Sequence, residues 1–282
     1  MSLSCKNYLI YFSIAISNLS VSQLYAFDIE NFRNYSGTVS ISGGSAHYPV
    51  MKEAKYRIEK INPNILVNVK GGGSSLGIKE VGEGSVDIGN SGRFLKEKEK
   101  IYNLMYVPLA VDAVAIVVHP SNPINKITSE SIQKIYSGKI TNWKQLGGKD
   151  ENISVFDRQD GSGTQTSFIK HILHKKRTVQ ARIMQSHEEM KIAVSWDKNG
   201  IGFISLGYVD KSKTKPLILD GVEASIENTL NGNYAMQRKL VMFVKNDPKL
   251  VTPLTQAFIK YLTSHEAIDI IKKNGYIPIN NR

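Results

Sequence analysis

The segment DRQDGSGTQTSF, residues 157 to 168, sets a cation, an anion and a Gly-Ser-Gly-Thr run directly ahead of a helical pattern. Gly161 and Gly163 let backbone N–H groups converge, the helix start supplies partial positive charge, and the hydroxyls of Ser162 and Thr164 add donors. Together they predict an anion cradle. Arg158, four residues before Ser162, can bring its planar fork over the same point and bond two oxygens at once. Asp160 is expected to orient or partly neutralise that arginine. The plainer alternative is a glycine-rich helix cap with a surface Arg–Asp pair.

SGGSAHYP (42 to 49) and GGGSSLGIK (71 to 79) repeat the theme with hydroxyls at Ser45, Ser74 and Ser75. Singly, each is a common strand-to-helix turn. Three such turns at the C-terminal ends of strands would gather helix starts around one point, where open α/β sheets hold ligands. Rival motifs fare less well. GGSSLGIK has Ile78 where a P-loop needs lysine. Gly73 to Gly77 matches G-x-S-x-G, the nucleophile elbow of serine hydrolases, but too few strands precede it and no HGGG-type loop is present. His171 and His174 could meet on one helical face with zinc, yet Lys170, Lys175, Lys176 and Arg177 crowd them, so a solvated helix end is the better reading. No metal and no cofactor are expected.

The elements that must position these turns alternate between helix and strand from Ser36 onward, which predicts an α/β class. Val39 and Ile41 mark a strand, Val50, Ala54, Ile58 and Ile61 the face of a helix with Pro49 in its first turn, and ILVNVK and VDIGNSGR two further strands. Later come a helix capped by Thr128, the strand ISVFD, a helix TQTSFIKHIL with Phe168, Ile169 and Ile172 inward, and a helix opened by a Ser186–Glu189 capping box. NGIGFISL is a strand, and two terminal helices open at Thr252-Pro253 and Ser264. The long extended runs near 107 to 118 and 238 to 245 predict two chain crossings between two lobes, hence a hinge and a cleft.

With 282 residues, 41% of them hydrophobic and 22% charged, the chain suffices for one large domain or two lobes. Residues 1 to 26 read as a secretory signal cleaved near Ala26, with an uncleaved membrane anchor as the alternative. The single cysteine, Cys5, lies in this leader, so the exported chain would be held by its core alone. The formal charge of +11 favours anionic partners, but acidic and basic residues alternate and no basic helix is interleaved with aromatics, so nucleic acid is not an expected partner.

SIQKIYSGKITNWKQLGG, DRQDGSGTQTSF, NGIGFISLGYV and the terminal NGYIPI together resemble the phosphate-binding proteins of ABC-type phosphate uptake systems, from about Ser40 to Pro278. The resemblance implies a two-lobed periplasmic-binding-protein fold of type II and a non-catalytic, monomeric periplasmic receptor that closes over phosphate and hands it to an inner-membrane ABC permease. An anion sensor or envelope interaction protein on the same fold is the runner-up, a serine hydrolase the more distant one. Lobe 1 would comprise 27–112 and 235–282, and lobe 2 residues 113–234. Carried over by position, the ligand residues are Arg158, Ser162, Gly163, Thr164, Ser45, Ala46 and Ser74, with Ser75, Ser91, Gly92 and Asp160 as further candidates. Ala46 stands where the family usually has a hydroxyl residue. Gly92 stands where well-studied members carry an aspartate that accepts the proton of hydrogen phosphate, so Ser91 or a backbone carbonyl would have to take that role. Arg93 would either enter the cleft or pair with a surface carboxylate.

Overall fold

The computed structural model describes residues 27–174 and 179–279, so the expected leader and the basic run 175–177 lie outside the described residues. Three strands open the fold: β1 (Gly37–Gly43), β2 (Ile65–Gly72) and β3 (Ile88–Ser91), joined through α1 (Tyr48–Ile61) and α2 (Ser74–Glu83). β1 lies between β2 and β3 and runs parallel to both. Parallel strands joined through helices bring the helix starts to the carboxyl ends of the strands. In α1, Val50, Ala54 and Ile58 are buried and Pro49 occupies the first turn; the helix stops at Asn62, which is extended as residues before proline tend to be.

β4 (Leu104–Val118) is the long crossing the sequence predicts, at 15 residues. Beyond it come β5 (Lys126–Ile127), α3 (Ser129–Tyr136), β6 (Ser154–Arg158), α4 (Gly163–Phe168), β7 (Arg182–Met184), α5 (His187–Trp196) and β8 (Gly200–Ser205). β9 (Lys215–Pro216), β10 (Ile218–Leu219) and α6 (Ile226–Leu230) precede the second crossing, β11 (Gln237–Lys245). α7 (Pro253–Thr263), α8 (Ile268–Lys273) and β12 (Ile277–Pro278) complete the described chain. The main path of the sheet runs β2-β1-β3-β11-β4-β8-β6-β7. β4 holds it together by changing partner: Leu104 to Ala113 pair antiparallel with β11, and Val114 to Val118 with β8.

Two large apolar cores flank that change of partner, and a smaller third cluster gathers Ile78, Val81, Val86, Val241 and Phe243. One joins Phe32, Val39 and Ile58 to Leu240, Phe258 and Tyr261. The other draws on residues 113 to 236, where Phe168 stacks on Phe203 at 4.1 Å with Tyr136 edge-on at 4.9 Å. No helix among the described residues is long and apolar enough to cross a membrane.

Two local expectations differ in detail. The helix after Thr164 passes into a π-helical turn, Ile169–Leu173, so Phe168 and Ile172 are buried while Ile169 is only partly covered. Widening the helix by one residue per turn shifts the apolar stripe off Ile169. Ser186 caps α5 by accepting from Glu189 N–H, but the Glu189 carboxylate reaches back to the amide of Gln185, so the box closes one residue early.

Candidate anion-binding site

The carboxyl ends of β1, β2, β3 and β6 meet at one small, partly enclosed cavity. Ser45 and Ala46 bring the start of the short 3₁₀ helix that leads into α1, Gly73 and Ser74 the start of α2, Gly92 the end of β3, and Ser162 to Thr164 the start of α4. First-turn amides lack intrahelical acceptors, so these converging helix starts offer N–H groups to an occupant. Glycine is required where the two sides touch. A Cβ on Gly163 would lie 2.4 Å from Ser74 Oγ, and Gly73 and Gly161 both have φ of +87°. Ser75 N–H donates to Gly161 O at 3.1 Å across the same seam.

Arg158, the last residue of β6, is only 1% exposed. Its Nε donates to Met184 O, and its Nη2 donates to Gln185 O and Ser45 Oγ. Nη1 is buried with no acceptor among the described residues. An unpaired buried cationic donor is costly unless an anion meets it. Burial, and then the neighbouring Arg238, hold the Arg158 guanidinium down at about 10.

Arg238 is the principal wall residue that reading the sequence missed. It lies in β11 directly opposite Asp112 of β4, and its Nε and Nη2 both donate to Asp112 Oδ2, at 2.9 and 2.8 Å. Its Nη1 faces the cavity wall and donates to Thr164 Oγ1 at 2.8 Å. Each crossing therefore carries one buried charge, and the register joins them. The available signal was the lone aspartate in VPLAVDAVAIVV, which needs a buried cation opposite it; Arg238, followed at once by Lys239, does not stand out in its own strand. Burial pushes the Asp112 carboxylate up, and Arg238 opposes it.

Two buried histidines support the wall. Ser205 N–H donates to His187 Nδ1, so the neutral ring carries its proton on Nε2 and donates to Thr164 Oγ1 at 3.0 Å. Burial, with Arg158 and Arg238 nearby, keeps His187 well below the ordinary imidazole range. His47 lies between Gly44 O and Val241 O; burial, then Arg238, bring it to about 3. A histidine that is neutral in the fold but protonates when unfolded removes stability as pH falls below its unfolded value. Stability is therefore expected to decline from pH 6.5 towards pH 3, at up to about 1.4 kcal/mol per pH unit for each such group. Urea midpoints across that range check this, and His47→Asn should show a shallower slope.

Of the residues singled out in the sequence, Ser45, Ala46, Ser74, Gly92, Arg158 and Ser162 line the cavity, as do Gly163 and Thr164. Others do not. Ser75 is not among the cavity's lining residues, and its Oγ accepts from Arg93 Nη2 at 2.7 Å, so the elbow-like serine is bonded to a cation and to no histidine. Ser91 Oγ donates to Arg93 O and accepts from Arg93 N, which commits the hydroxyl to its own turn. Asp160 sits exposed at the tip of the turn, and the role expected of it, holding Arg158, falls to the Met184 and Gln185 carbonyls. Arg93 pairs with a carboxylate, as one of its two expectations had it, but Glu99 and Arg93 form a buried two-point pair, at 2.7 Å for both bonds, and not a surface one.

Hinge strands and converging helix starts that enclose a cationic cavity define a two-lobed binding protein for a small oxyanion. The PBP superfamily domain matches residues 33–266. Phosphate-binding protein PstS of Bacillus subtilis is 33% identical over 249 residues, covering 87% of this chain and 82% of that protein. PstS of Borreliella burgdorferi is 32% identical, covering 94% of this chain and 98% of that one. A Clostridium perfringens structure with bound phosphate, described as a phosphate ABC transporter substrate-binding protein, superimposes with a TM-score of 0.82 at 38% identity, over 86% of this chain and all of that one. The chain belongs to the PBP superfamily and, within it, to the family of phosphate-binding proteins PstS.

Proposed function

We propose that this chain is an exported solute receptor that binds inorganic phosphate between its lobes and delivers it to an ABC-type phosphate permease. The observation that carries the reading is Arg158 Nη1, a buried cationic donor with no acceptor among the described residues, in a cavity walled by hydroxyls and helix starts. Family membership, and a relative with bound phosphate, support phosphate as the occupant. The ligand set we assign is Ser45, Ala46, Ser74, Arg158, Ser162, Gly163 and Thr164, with Gly92 and Arg238 in the wall.

The lobes we assign are residues 27–112 with 235–282, and 113–234; the separation of the core drawn from residues 113 to 236 from the core and smaller cluster on the other side supports that division. Opening about β4 and β11 would part Ser75 from Gly161 and Ser45 from Arg158, and closing would exclude water from the anion. Affinity then comes from many short bonds. Charge-assisted ones contribute about 1.5 to 3 kcal/mol each, so four or five reach the roughly 8 kcal/mol of a micromolar complex after closure costs. The receptor performs no bond chemistry; it acts as a monomer in the periplasm, and its partner is the membrane permease.

Calorimetric titration of the purified protein with phosphate tests the reading. One-to-one binding at micromolar or tighter affinity is expected, and absence of binding would return the chain to the sensor and interaction readings.

A further inference from the structure

The side chains that face the cavity present donors. Ser74 Oγ accepts from Gly92 N–H, Ser45 Oγ from Arg158 Nη2, and Ser162 Oγ from the amides of Thr164 and Gln165. Thr164 Oγ1 accepts from both Arg238 Nη1 and His187 Nε2. Each hydroxyl oxygen thus receives a protein N–H, and its own proton is left for an occupant. The guanidinium groups of Arg158 and Arg238 have no acceptor to offer.

Among the described residues that line the cavity there is no carboxylate. Asp112 lies behind Arg238 with both oxygens committed, Oδ2 to the guanidinium and Oδ1 to Ser205 Oγ and Leu206 N–H. Gly92 is the wall position from which a short acceptor could reach in, and Arg238 fills the space. A Cβ on Gly92 would lie 2.7 Å from Arg238 Nη1 and 3.2 Å from its Cζ.

Resting on the phosphate reading, we propose that Gly92 and Arg238 together make a cage that selects by tetrahedral shape and negative charge, without reading a proton, so that sulfate competes with phosphate for this site. Discrimination between two anions of equal shape needs a repulsive or unpaired group opposite the wrong one. Sulfate has no proton and accepts at every oxygen, which suits a wall of donors. Hydrogen phosphate carries one proton, for which the lining side chains offer no carboxylate; Ser162 Oγ and Thr164 Oγ1 each already accept two N–H groups, and Ser45 Oγ and Ser74 Oγ keep one neutral lone pair apiece. The cage therefore sets no charged acceptor opposite sulfate.

The test titrates the purified wild-type protein with phosphate and with sulfate, then displaces one by the other, and repeats both titrations on Gly92→Asp. Sulfate is expected to bind one-to-one within about tenfold of phosphate. In Gly92→Asp, whose side chain must shift Arg238 Nη1 and brings a carboxylate to the cavity wall, sulfate affinity is expected to fall at least about tenfold further than phosphate affinity. Phosphate binding with no sulfate heat and no displacement at a large excess would overturn the proposal and leave the phosphate reading standing. An unchanged ratio in Gly92→Asp would overturn the assignment to Gly92 and Arg238. Failure of the wild type to bind phosphate would overturn the phosphate reading, and the proposal with it. The wild-type titrations decide even if the variant does not fold.

Discussion

Replacing Arg158 with methionine is expected to weaken phosphate binding at least a hundredfold, about 2.7 kcal/mol, while leaving the phosphate-free protein no less heat-stable than the wild type. Both halves follow from one geometry. Arg158 is buried, and its side chain donates to Met184 O, Gln185 O and Ser45 Oγ, none of them a carboxylate. Its Nη1 waits for an acceptor. The positive charge is thus kept in the cavity at a cost to the empty protein, as its lowered pKa indicates, and the occupant returns that cost. Methionine fills much of the stem's volume without the charge. Calorimetry with phosphate reads the first half and a thermal scan without phosphate the second. A loss of less than about tenfold would remove Arg158 from the ligand set.

Asp112→Ala is expected to act in the opposite sense, lowering the stability of the empty protein by about 3 to 5 kcal/mol. The substitution strips Arg238 of the only side-chain carboxylate it bonds among the described residues and leaves Ser205 Oγ and Leu206 N–H without their acceptor. A buried guanidinium without a counterion would then stand beside Arg158, and the cavity would hold two uncompensated cations. Phosphate at one fixed concentration should accordingly bind the variant more tightly and raise its urea midpoint by more than it raises the wild type's, since an anion that binds only the folded state stabilises by RT ln(1 + [L]/Kd). An empty variant with a wild-type midpoint would show that the pair linking the two crossings contributes little.

Much of the site was legible because its parts are local. A strand end, a glycine free to take positive φ, a hydroxyl and a helix start follow one another within a few residues, and so Ser45, Ser74, Arg158, Ser162, Gly163 and Thr164 could be read from their own neighbourhoods. The α/β alternation was legible for the same reason, since side-chain periodicity is a short-range property. The candidates that fall outside the cavity lining do so through direction. Ser75, Ser91 and Asp160 lie in the right turns, but neighbours one or two positions apart in a turn point different ways, and the partners that claim Ser75 and Ser91 come from Arg93.

By itself, then, the sequence determined a two-lobed α/β chain with glycine-rich helix starts suited to an oxyanion. Tertiary structure decided the rest. Arg238 belongs to the site because antiparallel register sets it against Asp112, 126 residues away, and because Gly92 leaves room for its guanidinium. Neither condition has a local signature. Long-range pairing is specified by the summed packing of β4 and β11 between two cores, and the charge of the cavity, with whatever selectivity it confers, is a property of that pairing.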